Sequence, residues 1–175
     1  MRAMGGMNQT PFGERVHIAF FGRRNAGKSS LMNAFTGQEF SVVSAEKGTT
    51  TDVVYKAMEL LPAGPVLLID TPGLDDAGEL GEKRIARARA VMRKADIAIV
   101  TADAREALGE TERELLDFFE KQGIPCLLVW NKADLLEEVP KDGENTLWVS
   151  AKTGWKIHEL KERVAALLSE RETEG

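Results

Sequence analysis

Residues Gly22 to Ser29 read Gly-Arg-Arg-Asn-Ala-Gly-Lys-Ser, two glycines bracketing four residues with Lys-Ser behind them. That spacing suits a grip on a phosphate chain. Glycine lets the backbone curl without a side chain in the way. Successive N–H groups over Asn25, Ala26, Gly27, Lys28, Ser29 and Ser30 can then turn inward at the start of a helix, whose N-terminus attracts anions. Lys28 brings a point charge to the β- and γ-phosphates, and the Ser29 hydroxyl is a hard oxygen ligand for Mg²⁺. The plainer alternative is a glycine turn before a helix with an incidental lysine. The pattern points to a nucleoside triphosphate and leaves the base open.

A second group could read the base. Asn131-Lys132-Ala133-Asp134 follows the apolar run Ile124 to Trp130. Guanine presents two donors on one edge, and the Asp134 carboxylate offers two matching acceptors. Adenine would leave that carboxylate unpaired, a strong form of rejection. Asn131 can bond the ring's other edge and tie neighbouring loops, the Lys132 stem can lie along the base plane, and Ser150-Ala151-Lys152 can add a backbone N–H to the guanine oxygen. Singly, each is also a plausible solvated loop. A third group could sense the γ-phosphate. In Asp70-Thr71-Pro72-Gly73, Asp70 can hold Mg²⁺ through water and the Gly73 N–H can reach the phosphate. In Gly48-Thr49-Thr50-Thr51-Asp52, Thr50 is the expected Mg²⁺ ligand. Loops released together on hydrolysis would make a switch, with Lys28, Thr50 and Gly73 the groups expected to act on the triphosphate.

These loops need a frame. The chain has 175 residues, 43% hydrophobic and 29% charged, which fits about one globular domain. Expected boundaries are a flexible arm over 1–14, a GTP-binding domain over 15–170, and a fraying tail or linker over 171–175. Val16–Phe21, Asp52–Leu61, Val66–Ile69, Ile97–Thr101, Ile124–Trp130 and Thr146–Val149 read as strands. Leu31–Phe35, Ile85–Met92, Leu115–Phe119 and Ile157–Leu168 read as helices, the last with Ile157, Leu160, Val164 and Leu167 on one face. The alternation predicts an α/β fold: a mostly parallel six-stranded sheet with helices on both faces, binding its ligand beyond the carboxyl ends of its strands. A net charge of −5 argues against nucleic acid as the main partner. No apolar run is long enough to cross a bilayer. The single cysteine, Cys126, reads as a buried, inert thiol, and with only His17 and His158 beside it in composition the stretch offers no zinc or iron–sulfur ligand set. A reducing, cytoplasmic setting is expected.

The order of motifs resembles the Ras-like P-loop GTPase superfamily over residues 16 to 168. Asn25 in the phosphate loop and Gly48-Thr49-Thr50 look like the bacterial Era/MnmE group, whose members act in ribosome assembly or tRNA modification. Three longer stretches, Phe21 to Ser30, Gly48 to Leu60 and Asp70 to Gly81, resemble the FeFe-hydrogenase maturation GTPases (HydF). That resemblance implies a scaffold that delivers a diiron cluster precursor, with the GTPase regulating partner exchange. It also implies further domains for dimerisation and for an iron–sulfur cluster, which residues 1–175 do not themselves supply. Implied partners are GTP and GDP, other domains of the same protein, hydrogenase maturation proteins or the hydrogenase, and a second copy docking through the switch regions. Leu74 stands where Ras has its water-orienting Gln, so the resemblance implies slow hydrolysis assisted by K⁺ held partly by Asn25. A loop-stabilising role for Asn25 is the competing reading. Asp75, Asp76, Glu79 or Glu82 could orient water, and the basic run Lys83, Arg84, Arg87, Arg89, Arg93 and Lys94 could be a solvated face or a docking surface. A nucleotide-loaded interaction module with negligible hydrolysis also fits.

Overall fold

A computed structural model describes residues 15–37, 41–43, 54–61, 63–71 and 89–174. Strand β1 (Val16–Gly22) leads through a 3₁₀ turn (Arg24–Ala26) into helix α1 (Lys28–Thr36). Strands β2 (Ser41–Val43), β3 (Val54–Leu60) and β4 (Gly64–Asp70) follow. Helix α2 is described over 89–94. Strand β5 (Ile97–Asp103), helix α3 (Glu110–Gln122), strand β6 (Cys126–Asn131), strand β7 (Thr146–Trp148) and helix α4 (Ile157–Glu174) complete the order.

The sheet order is β2-β3-β4-β1-β5-β6-β7. Strands β4, β1, β5, β6 and β7 run parallel, while β3 pairs antiparallel with both β2 and β4. All six expected strands are present. The seventh, β2, has only three residues, too few for alternation to reveal. Helix α4 also continues to Glu174, into the stretch 171–175 expected as a tail or linker.

Side-chain alternation sorts the core into two layers. Ile18 and Phe20 of β1 point toward α1 and α4, in a cluster with Leu31, Phe35, Leu160 and Val164. Ala19 and Phe21 point the other way, with Met92, Leu115 and Phe119. Aromatic pairs pack on both sides: Phe20 meets Phe35 edge-on with ring centres 5.5 Å apart, and Phe21 meets Phe119 in a tilted arrangement at 5.2 Å. On α4 the fourth fully packed position is Leu168, with Leu167 only partly buried. Steps of three, four and four residues from Ile157 through Leu160 and Val164 to Leu168 trace the buried helical stripe. Helix α3 begins five residues before the expected Leu115. Its first turn is polar, and it is set by the Gly109 N–H donating to Glu112 Oε1 at 2.8 Å. Parallel pairing aligns Gly22 with Thr101, Phe20 with Asp70, and Asp103 with Asn131. The ends of β1, β4, β5, β6 and β7 therefore converge on one edge.

Candidate nucleotide site

The phosphate loop is shaped by close approach at both glycines. Gly22 has φ +145°, and a Cβ there would sit 2.6 Å from the Thr101 carbonyl oxygen on β5. Gly27 adopts φ 82° as the residue capping α1, and its Cβ would sit 2.5 Å from Asn131 Nδ2. Only glycine suits either position. The first amides of a helix have no partner within the helix, so the turn after Gly27 presents donors and a partial positive charge to an anion. Lys28 is buried there. Its Nζ donates to the Thr71 carbonyl at 2.9 Å and lies 2.7 Å from Asp70 Oδ1. The Thr71 hydroxyl donates to the Phe20 carbonyl at 2.8 Å, fastening the end of β4 to β1. Ser29 and Ser30 are exposed on the first turn of α1. The Ser29 hydroxyl and Asp70 carboxylate form a hard, all-oxygen donor pair. That chemistry fits Mg²⁺, which commonly completes its shell with phosphate oxygens and water.

Asn131 knits the loops together. It is buried at the end of β6; its Nδ2 donates to the Ala26 carbonyl at 3.0 Å, and its Oδ1 accepts from the Ala151 N–H at 2.9 Å. Of its two expected tasks, this is the loop tie. The Ala151 amide is thereby engaged, so a bond from this stretch to a guanine oxygen would fall to another amide such as that of Lys152. Lys132 adopts φ 71°, and its ammonium donates to the Asn25 carbonyl. Asp134 is exposed, with Oδ1 accepting from the buried Ser150 hydroxyl at 2.7 Å. A cavity of about 650 Å³ lies between these loops, lined by Gly27 and Ser30 of the cradle, Lys132 and Asp134 after β6, and Ala151 and Lys152 after β7. Its size suits a nucleotide-sized ligand. The Gly27–Ser30 turn borders the cavity on one side and the exposed Asp134 on another.

Two further residues belong to this site and were missed from the sequence. Asp103 ends β5, and Arg105 lines the cavity mouth. Hydrogen bonds from the Arg105 side chain hold the Asp103 carboxyl far below the usual carboxylate range. Burial opposes this, while the Arg105 N–H and the Lys132 charge reinforce it. The missed signal was position: Asp103 stands at a strand's carboxyl end, as the recognised motifs do, but the expected strand stopped at Thr101. Thr50 and Gly73 lie outside the described residues, as do Leu74, Asp75, Asp76, Glu79, Glu82, Lys83, Arg84, Arg87 and the arm over 1–14. Cys126 is only half-buried at the start of β6, and burial pushes its thiol up to about 12.

Known proteins agree with this architecture. The family described as 50S ribosome-binding GTPase matches residues 17–132. The tRNA modification GTPase MnmE of Hydrogenovibrio crunogenus is 35% identical over 166 residues, covering 92% of this chain and 36% of the relative. MnmE of Dichelobacter nodosus is 36% identical over 165 residues, covering 91% and 36%. The chain thus spans about a third of these relatives' length. Among solved structures, Aquifex aeolicus Era Y63A bound to GDP and aluminium fluoride superposes with a TM-score of 0.68 at 23% identity, covering 86% of this chain and 56% of that one. The G domain of the T. maritima FeoB iron transporter gives 0.64 at 25%, covering 88% and 99%. With the phosphate loop, the Asn131–Asp134 loop and the sheet edge that joins them in place, the chain belongs to the 50S ribosome-binding GTPase family and is a Ras-like, GTP-binding domain of the Era/MnmE type.

Proposed function

We propose that this domain binds GTP and GDP with Mg²⁺ and hydrolyses GTP slowly, as a cytoplasmic switch within a larger protein. The observation that carries this reading is the Asn131 tie, which brings the phosphate loop and both base loops around one cavity. Lys28 offsets charge on the β- and γ-phosphates. Ser29, Asp70 and Thr50 are the residues to hold Mg²⁺, which when bound neutralises the phosphate oxygens. The Gly73 N–H reports the γ-phosphate, and Asp134 checks guanine. Calorimetry on the folded domain with Mg²⁺ tests the core of this reading. GDP should release heat and ADP none; equal heat from both would end it.

Leu74 cannot orient water or accept a proton. The rate should therefore depend on K⁺, with Asn25 as a contributor. Asn25 is exposed in the turn while its carbonyl is held by Lys132. Single-turnover hydrolysis should be several-fold faster in KCl than in NaCl at matched ionic strength, since positive charge near the phosphates substitutes for an arginine finger. Equal rates in both salts would remove the cation role, and no turnover in either would favour a nucleotide-loaded interaction module.

For the whole protein, a role in tRNA modification is the reading favoured by relatives 35–36% identical that carry that name. The expectation of hydrogenase maturation draws no support from those relatives. It rests on the stretches Phe21 to Ser30, Gly48 to Leu60 and Asp70 to Gly81, and it keeps hydrogenase maturation proteins as the second candidate partners. Deleting the gene separates the two: modified nucleosides disappear from tRNA in the first case, and FeFe-hydrogenase activity disappears with tRNA intact in the second.

A further inference from the structure

Asp103 is the most enclosed charge beside the cavity, with its side chain 2% exposed. Its Oδ1 accepts from the Arg105 backbone N–H at 2.9 Å and from Arg105 Nε at 3.0 Å, and its Oδ2 accepts from Arg105 Nη2 at 2.7 Å. The same Oδ2 lies 3.4 Å from Lys132 Nζ. Lys132 in turn donates to the Asn25 carbonyl, so its stem crosses from the end of β6 to the turn of the phosphate loop. The stem passes close over Gly27, where an added Cβ would stand 3.8 Å from Lys132 Cε.

A lysine side chain left to itself samples many rotamers, and a single neutral carbonyl is a weak anchor for it. A buried carboxylate beside that carbonyl changes the balance. It favours the one rotamer in which the ammonium sits between Asp103 and Asn25, and the methylenes then form a fixed wall of the cavity. Arg105 makes this arrangement tolerable in a low-dielectric setting, because its paired donors satisfy the carboxylate that Lys132 alone would leave short of partners.

We propose that Asp103 is a positioning residue of the nucleotide site: by drawing the Lys132 ammonium onto the Asn25 carbonyl, it fixes the lysine stem as a wall for the purine and steadies the phosphate loop. The inference rests on the nucleotide occupying the cavity between these loops. Asp103 touches no ligand in this role; its effect passes through Lys132.

The test is the dissociation rate of a fluorescent N-methylanthraniloyl-GDP from the full chain in Mg²⁺ buffer, with the melting temperature of the nucleotide-free protein measured beside it. Asp103→Asn should speed release roughly tenfold, as loss of a charged hydrogen-bond partner does. Lys132→Met, which keeps the stem and removes the ammonium, should do at least as much, and the double variant should be no faster than Lys132→Met alone. A merely structural aspartate would loosen the loop in both backgrounds, so multiplying effects overturn the proposal. So does an unchanged rate in a folded Asp103→Asn protein. If Asp103→Asn does not fold, Lys132→Arg decides: its guanidinium can still meet Asp103 and should keep release within about threefold of the parent, whereas equal loss in the arginine and methionine variants overturns the proposal. Failure of the parent protein to bind the probe at all would instead remove the nucleotide reading itself.

Discussion

The proposed choice of base turns on one carboxylate, Asp134. It stands in the open at the cavity, yet it is aimed by the hydroxyl of Ser150, a fully buried residue, at 2.7 Å. A carboxylate offers acceptors only, so it rewards a base edge that offers donors only. Asp134→Asn replaces one acceptor with a donor. GDP affinity should fall roughly a hundredfold, since a charge-assisted bond worth about 1.5–3 kcal/mol is lost and a donor now faces a donor. Xanthosine diphosphate, with a carbonyl where guanine has its amine, should bind better than GDP. Competition titrations of the two nucleotides check this, and an unchanged preference would refute the base-reading role. At this scale the site was legible wherever a residue sits in a motif. Asp134, Lys28 and Asn131 announce themselves by spacing. Asp103 and Arg105 do not, because their meaning comes from lying across the sheet from Lys132.

The phosphate cradle shows the same division among elements. Strand β1 must end at Gly22 to clear the Thr101 carbonyl, and α1 must be entered through Gly27 in a left-handed conformation. Gly27→Ala should therefore fail twice. The left-handed backbone costs about 1–2 kcal/mol for a residue with a Cβ. The new methyl also displaces Asn131 Nδ2, breaking its bond to Ala26. The variant should melt lower by several degrees, and its GDP affinity should drop by more than the stability loss alone would produce. Thermal melts with and without GDP distinguish the two effects. Continuous apolar runs exposed the buried parallel strands in the sequence. The start of α3 was hidden because its first turn is polar and depends on a cap, and β2 because three residues carry no period. The sheet edge could be foretold, whereas the contacts that stitch its loops were long-range and invisible to local pattern.

The whole molecule places two opposed titrations near the ends of adjacent strands, Asp103 at the finish of β5 and Cys126 at the start of β6. Their effects on stability have opposite signs. Asp103 has a lowered folded-state pKa, chiefly through its Arg105 side-chain bonds. Its contribution is present above the ordinary carboxylate pKa of about 4 and is lost as pH falls below it toward the folded value. Cys126 has a raised folded-state pKa, near 12 against an ordinary 9.0, because burial disfavours the thiolate. Its contribution is present below pH 9 and is lost as pH rises through the folded value, since the unfolded chain releases its proton first. Urea unfolding measured from pH 3 to 11 should therefore show a plateau with a shoulder on each side. Asp103→Asn should flatten the acid shoulder and leave the alkaline one. Cys126→Ala should flatten only the alkaline one, and the wild-type thiol should resist alkylation at pH 8 until the protein unfolds. Rapid alkylation of the folded domain at that pH would show the thiol to be ionised, and with it the alkaline half of this assignment would fail.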